Sequence, residues 1–565
     1  MFIVFEGIDG SGKTTISNQV TKALRGSGLV VEHLREGGKF GSTVTQNIRE
    51  FTRDARNLDL VPHAELLLYV ARDVQLIDEL ARPMLRQADI VIADRFLYSP
   101  EVLARHGRGL QKEEVDTIIE AAARGLKPDL VFLIDVDPHI ARARRRVSKI
   151  LTRDGRPSSR KGLSGAGMLH RLRAGYRELA ARDPQRWITI LNDEADLETV
   201  VAHIVATVRA ARRDGVKAAL EHSRDGAISS GGSPPRVSTP GEAMNAFLAL
   251  IDRRAVNEPQ AAAYLLAGVH GDRLDDRRTA LAPRAPEVTA YGLQNMDDAV
   301  SWQLRNALAR WAPHHVLRSL SGPVGTSNEA RALRARLAPL APREAAESVA
   351  GMDDADAWTL RDELYAAAAD AVVGSLAGLE EARAWTLRSR WLGERGGEPA
   401  LGIYENARMA CKSVAGLDDE RAWRLRALAR DVAPVAAIAS LDTLTCDRAW
   451  TWRERYLERA PRVVLGTLRG LDDPRAWEMR GLFAARCKEA LDSMVGMDGP
   501  AAWRLREGCA DVWPSTVVKS LGALAGTARG SALVSRQLER HPGNISLLKH
   551  AASIASNATA GVMAA

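Results

Sequence analysis

Along the first two hundred residues, short runs of consecutive apolar residues alternate with longer stretches where apolar and polar residues mix. The apolar runs lie within the segments 2–5, 29–34, 89–96, 130–136 and 187–191. Runs of this length without strict alternation predict strands buried on both faces, the pattern of a parallel sheet. Ile16 to Arg25 carries helical spacing and stops near Gly26 and Gly28, and residues 63–88 predict one or two helices. Strands alternating with helices predict an α/β domain whose sheet is covered on both faces. Its ligand site then lies at the carboxyl ends of the strands.

The pattern changes after residue 213. Residues 214–240 run through Ser229-Ser230-Gly231-Gly232-Ser233-Pro234-Pro235, a composition that buries no core and predicts a flexible linker. Beyond it a Trp-x-x-Arg unit recurs at Trp302, Trp358, Trp385, Trp423, Trp450, Trp477 and Trp503, with Arg331 standing where a Trp is due. The steps are 29, 27, 27, 38, 27, 27 and 26 residues, and the long one coincides with a Gly-rich insertion at 393–399. A fixed period over this length predicts a stacked array of two short helices per repeat, an all-α solenoid of repeats of about 27 residues. Gly416-Leu417-Asp418-Asp419 ends one helix at Gly and starts the next with an Asp cap. The Trp is expected to anchor the core of each repeat. The Arg three positions later is expected on a solvated or Asp-paired face, with a basic groove for nucleic acid as the alternative. The domains expected are 1–213, the linker 214–240, the array 241–556 and a tail 557–565, the two folded parts forming independently.

Composition adds bounds. The chain has 565 residues and a 46% hydrophobic fraction, enough for several buried cores. Its net charge of +7 is mild for this length and suits phosphate ligands without demanding nucleic acid. The four cysteines form no close pair, which fits reduced thiols better than zinc. There is no signal-peptide pattern and no run of 18 apolar residues, so a cytoplasmic protein without a membrane partner is expected.

The chemistry is concentrated at the first strand, which ends in Gly7-Ile8-Asp9-Gly10-Ser11-Gly12-Lys13-Thr14-Thr15. This is the full Gly-x-x-x-x-Gly-Lys-Thr phosphate loop. Glycines let the backbone turn tightly and aim N–H groups inward, and the following helix adds its positive end. Gly7, Gly10, Ser11, Gly12, Lys13, Thr14 and Thr15 are therefore the expected ATP contacts. Lys13 acts on the β/γ-phosphates and the Thr14 hydroxyl on Mg²⁺. The strand ending in Asp94-Arg95 places a second carboxylate where Mg²⁺ is held.

The order of these motifs resembles the thymidylate kinase family of nucleoside monophosphate kinases over roughly residues 1–210. The resemblance rests on residues 5–15, Arg35-Glu36-Gly37-Gly38, Ile48-Arg49, Asp94-Arg95-Phe96, residues 134–138 and Arg173-Ala174-Gly175-Tyr176. It implies transfer of the ATP γ-phosphoryl group to dTMP, with Mg²⁺, in a kinase half of homodimeric habit. Carried over by position, Asp9 orients the acceptor, Arg49 and Arg95 grip its phosphate, and Arg72 faces the base. The loop carries Gly10 and Ser11 where some members have an Arg. The catalytic cation is then expected from a basic lid at 152–167, with Arg153 the candidate beside Arg156, Arg160 and Lys161.

Other positions depart from the family. Leu68 stands where members place a Phe that stacks on thymine, and Tyr69 is adjacent. Ser99-Pro100-Glu101-Val102-Leu103-Ala104 replaces a Ser-Ser-x-x-Tyr-Gln-like run that reads the base. Base discrimination depends on paired polar groups, so the pocket reads as rewritten while the phosphate machinery is kept. Three readings stay open: a dTMP kinase with a divergent pocket, a kinase for another nucleoside monophosphate, or an inactive ATP-binding scaffold. For the array a protein partner is expected, because solenoids present extended concave surfaces.

Overall fold

The computed structural model of the chain describes residues 1–35, 42–152, 167–193, 196–225 and 236–563. It divides into two compact units, the first made chiefly of residues 1–145 and 166–233 and the second of residues 234–565.

The first unit is built on five parallel strands: β1 (Phe2–Glu6), β2 (Val31–His33), β3 (Ile90–Asp94), β4 (Leu130–Asp135) and β5 (Trp187–Leu191). Their order is β2-β3-β1-β4-β5. In the central strand Phe5 sits opposite Asp94 on one side and Phe132 on the other. Every residue of β1, β3 and β4 is buried, which is why their sequences run apolar without alternation.

Between the strands lie α1 (Lys13–Arg25), α2 (Thr43–Arg53), α3 (Pro62–Leu76) and α4 (Arg82–Gln87). After β3 come α5 (Tyr98–Val102) and α6 (Lys112–Ala123), and after β4 come α7 (Pro138–Leu151) and α8 (Gly167–Arg182). The last are α9 (Leu197–Asp214) and α10 (Val216–Asp225). A wide π-helical turn at Ile77–Ala81 joins α3 to α4, and a second at Leu103–Gly107 follows α5. Ile16, Val20 and Leu24 of α1 and Val200, Ile204 and Val208 of α9 pack with Ile3, Phe5, Ile92 and Phe132 in one core. Each such side chain contributes about 1.5–3 kcal/mol when buried. Ser42 and Asp196 cap α2 and α9 with their side-chain oxygens.

The stretch expected as a linker is occupied by helix at both ends. Residues 216–225 form α10, whose Ala219 joins the core with α9, and Pro240 opens the next helix. The apolar positions Val216, Ala219 and Leu220 carry this helix. Gly215, at φ 90, breaks it from α9. Residues 226–235, with the Ser-Gly-Pro run, lie outside the described residues.

The second unit is all-helical. Helices of about ten residues carrying the Trp-x-x-Arg unit, such as Glu420–Ala429 and Asp447–Tyr456, alternate with shorter ones such as Pro434–Ala439 and Pro461–Gly466. The Trp side chains are buried at Trp358, Trp385, Trp423, Trp450 and Trp503 and half-buried at Trp302 and Trp477. The expected core anchor is therefore present.

The recurring Arg differs from expectation: it is neither solvated nor paired to Asp. Arg305, Arg334, Arg361, Arg388, Arg426, Arg453, Arg480 and Arg506 are all 0–4% exposed. Arg426 shows the pattern. Its Nε donates to Ser440 Oγ (2.9 Å) and its Nη2 to the carbonyls of Val414 (2.7 Å) and Ser440 (3.1 Å). Those carbonyls end two successive short helices, Tyr404–Ser413 and Pro434–Ala439, so the cation lies between two negative dipole ends. Its other flank is the Trp423 ring, 4.7 Å from Cζ. On Trp450 the next repeat adds a second guanidinium: Arg453 and Arg475 each lie 4.6 Å from the ring centre. Burial lowers the guanidinium of Arg453 and Arg480 to about 10, still charged at neutral pH. Being buried, these arginines are not available to phosphates at a surface.

Arg278 makes the same contact with the Leu266 carbonyl (3.0 Å), so the array begins before its first recognisable Trp. Its two ends also meet. The helix Ile545–Met563 packs against the helix Pro240–Asn257, and Lys549 Nζ donates to the Ala267 carbonyl (2.6 Å).

Candidate active site

The phosphate loop joins β1 to α1 and needs its glycines. Gly7, Gly10 and Gly12 have φ of 143°, 92° and 92°. A Cβ on Gly7 would sit 2.4 Å from the Ile134 carbonyl oxygen, and one on Gly10 would sit 2.3 Å from that of Ala141. The loop is thus pressed against the β4 end and α7, which no side chain would allow.

Lys13 is buried and donates to the Ile8 carbonyl (3.1 Å). Burial pushes its ammonium down to about 7, with Arg95 adding to the effect and Asp94, Asp9 and Glu6 opposing it. Ser11 Oγ is buried with no hydrogen-bond partner among the described residues, and Thr15 is exposed. Thr14 Oγ1 donates to Asp94 Oδ2 (2.5 Å), joining the loop to the end of β3. Burial alone would raise the Asp94 carboxyl, but Lys13, Arg35, Arg95 and the Thr14 bond hold it below its usual range. Asp94 Oδ1 is buried without a partner among the described residues. An ionised carboxylate with a spare oxygen beside a threonine hydroxyl is the oxygen-only donor set that suits a hard divalent cation.

Arg95 follows at φ 80, a conformation that costs a non-glycine residue free energy and that recurs at functional sites. Its Nη1 donates to the Gly7 carbonyl (3.1 Å), Ser99 Oγ (2.9 Å) and Tyr176 Oη (3.1 Å). Its Nη2 bonds Asp9 Oδ1 (2.5 Å). Glu6, fully buried, accepts from the Phe96 N–H (2.9 Å) and Ser99 Oγ (2.8 Å). Burial opposes the Arg95 charge, but Tyr176, Asp9, Glu6 and Asp94 together raise its affinity for the proton. Asp9 and Arg95 are therefore brought together at the loop.

Arg49 and Arg72 come from α2 and α3. Arg49 is half-buried, and burial, with Arg53 and Arg72 adding repulsion, lowers its guanidinium below the usual range. Arg72 is buried, with Nε and Nη2 on Asp73 Oδ1 (2.7 and 2.6 Å) and its Cζ 4.9 Å from the Tyr69 ring centre. Leu34, Arg35, Arg72, Asp73, Leu76, Ile77, Ala81, Arg95 and Phe96 line a pocket with about 10 Å³ of free space. Leu68 is half-buried and is not in that lining. The Arg153 lid and residues 36–38 of the Arg-Glu-Gly-Gly turn lie outside the described residues.

Asn192 stands outside the motifs, and Asp135 and Tyr176 lie within them without a role assigned there. Asn192, just after β5, donates Nδ2 to the Ser11 carbonyl (2.7 Å) while its own N–H goes to the Asp135 carbonyl (2.8 Å). Asp135, at the end of β4, holds Arg173 (Nε–Oδ1 2.7 Å) and Arg177 (Nη2–Oδ2 2.6 Å) of α8. That grip fixes the helix carrying Tyr176. The polar residue ending an apolar strand is the signal that marks both Asn192 and Asp135.

Over about its first two hundred residues the chain is similar to known proteins. The thymidylate kinase family model matches residues 5–204. The thymidylate kinase of Pelobacter propionicus is 38% identical over 221 residues, which span 39% of this chain and 98% of that protein. That of Pelotomaculum thermopropionicum is 38% identical over 189 residues, spanning 34% and 84%. Among solved structures, thymidylate kinase from Ehrlichia chaffeensis is 26% identical over 37% of this chain and 98% of that one, with a TM-score of 0.28.

Proposed function

The chain belongs to the thymidylate kinase family, as a phosphotransferase with a further helical unit, and we propose that it transfers the ATP γ-phosphoryl group to dTMP, giving dTDP. The observation that carries this reading is the convergence of Lys13, the Thr14–Asp94 pair and the Asp9–Arg95 pair on the ends of two neighbouring strands. Loop amides and the start of α1 would hold the donor phosphates, and Lys13 would leave the Ile8 carbonyl for them. Arg95, oriented by Asp9, Ser99 and Tyr176, would turn its donors to the acceptor phosphate, with Arg49 beside it. Thr14 and Asp94 would hold Mg²⁺, which neutralises charge on the transferring phosphates when bound. Such catalysis is positioning plus electrostatics, and burial and hydrogen bonds gather these groups at one place before substrate arrives.

A coupled ADP-release assay with each natural nucleoside monophosphate tests this. Turnover with dTMP foremost is expected. Turnover foremost with another monophosphate would correct the acceptor, and ATP binding without turnover on any acceptor would overturn the kinase reading.

The helical unit is proposed as a protein-binding module. Its recurring arginines are turned inward, which favours a protein over nucleic acid as partner. Titration with labelled duplex and single strands at about 50 and 200 mM salt is the check, since phosphate contacts weaken steeply over that range. Tight, salt-sensitive binding would overturn it.

A further inference from the structure

Near the point where the two ends of the helical unit meet, ammonium groups outnumber carboxylates. Asp492, closing the short helix Glu489–Asp492, takes Lys488 Nζ on Oδ2 and Lys519 Nζ on Oδ1, both at 2.6 Å. Lys519 belongs to the helix Pro514–Leu521, which packs against that short helix and against the returning helix Ile545–Met563. The returning helix carries Lys549 and His550, both half-buried. The three lysines and Asp492 all act electrostatically on the His550 ring, so the five groups form one cluster. Within it three ammonium groups meet one carboxylate.

Lys549 is the group left over. Its Nζ donates to the Ala267 carbonyl, and no carboxylate pairs with it among the described residues. An ammonium has three donors, so two remain. Burial pushes it down to about 8, with Arg278 and Lys519 adding repulsion, and it is still charged at neutral pH. His550 has no hydrogen-bond partner among the described residues. Burial and the neighbouring lysines lower its ring to about 3, so it is neutral and offers one N–H. A cation held away from water without a counter-charge is costly. The repeat does not demand it. Lys519 precedes the Ser that the recurring Arg grips, and that position is Gly374, Ala439 and Gly466 in other repeats.

We propose that this cluster is an anion site, where Lys519, Lys549 and the His550 N–H hold a phosphate-bearing anion. Lysines act on phosphate as point charges and need no fixed approach angle. Lys519 has donors to spare beyond the one on Asp492. An anion bound there ties the returning helix to Pro514–Leu521, so binding stabilises the closed array by mass action. The site lies wholly in the helical unit and does not depend on the kinase reading.

Calorimetric titration of the full-length chain with inorganic diphosphate tests it, at about 0.15 M NaCl so that loose surface attraction is screened. The titration uses Lys13→Ala, which weakens the phosphate loop, and is repeated with Lys519→Met or Lys549→Met added. A Kd below about 1 mM is expected. Each added change is expected to weaken it at least tenfold, by removing a charge-assisted contact. Saturating diphosphate is also expected to raise the tryptophan-fluorescence melting temperature by about 2 °C over chloride of equal ionic strength. Lys519 is exposed, so Lys519→Met is expected to fold as the parent and alone decides if Lys549→Met does not fold. A second series with ADP identifies the source. ADP binding lost in the same variants assigns a nucleotide-borne phosphate, and diphosphate binding alone a free anion. Affinity that Lys519→Met leaves within twofold, or no diphosphate binding at all, would overturn the site.

Discussion

Asn192 Nδ2 lies 2.7 Å from the Ser11 carbonyl, so the end of the last strand holds the loop after the first. The contact spans 181 residues of sequence and is buried. A Cβ on Gly12 would sit 2.9 Å from the same nitrogen, so the loop closes directly onto it. Asn192→Ala is expected to loosen the donor side: KM for ATP rises about tenfold, with KM for the acceptor within twofold, as steady-state kinetics would show. Equal effects on both substrates would mean that Asn192 supports the fold generally.

Lys13 gives a pH dependence whose sign can be worked out. Its ammonium is pushed down to about 7, so in the ligand-free protein it is protonated below that pH and neutral above. Binding of a polyphosphate favours the charged form and must draw a proton once the pH exceeds about 7. ATP affinity is therefore expected to fall as pH rises from 7 to 9, by up to about tenfold per unit. Calorimetry across this range, with Lys13→Arg as a control lacking the titration, checks it. A flat profile in the parent protein would remove Lys13 from the phosphate site.

Arg95→Ala is expected to lower kcat/KM by about 10²-fold or more, because it removes the acceptor-side cation and the link between Gly7 and Tyr176. Tyr176→Phe removes one of the bonds that aim Arg95. It is expected to raise KM for the acceptor severalfold with little change in KM for ATP.

In the helical unit, Arg453→Met would leave the Leu444 carbonyl and the Thr467 hydroxyl without their donor and take one of two donors from the Leu441 carbonyl, which keeps the Leu444 N–H. A loss of about 2–4 kcal/mol is expected from two buried acceptors left unpaired and a third that loses one of its donors. Arg453→Lys should not restore it, since an ammonium lacks the planar fork. Urea unfolding followed by tryptophan fluorescence reports this unit selectively, because eleven of the twelve tryptophans lie beyond residue 234.

Much of the kinase unit was legible because burial on both faces writes a strand as an apolar run. The runs containing β1, β3, β4 and β5 were read at their observed positions, and the loop from Gly7 to Thr14 is a contiguous motif. What was not legible depends on distance. Asn192 meets Ser11 only after five strands have assembled, and Tyr176 meets Arg95 across 81 residues.

The repeated Arg was visible as a period and invisible as a core residue, since charge reads as exposure. Its partner was also in the sequence: a Ser or Thr fourteen residues later at Ser319, Ser348, Ser375, Ser440, Thr467 and Ser520. Helix α10 is masked in the sequence because its few apolar positions adjoin a Ser-Gly-Pro run.

The meeting of the helix Ile545–Met563 with the helix Pro240–Asn257 bears on how this unit can change over evolutionary time. An open stack tolerates duplication or deletion of a repeat, because each added unit contacts only its neighbours. Here every repeat also sets the angle at which the last helix returns to the first. Losing or gaining one block of about 27 residues would misalign Lys549 and the Ala267 carbonyl and expose the apolar seam that they close. The repeat number is thereby counted by the fold itself, and variation is left to single positions within each repeat.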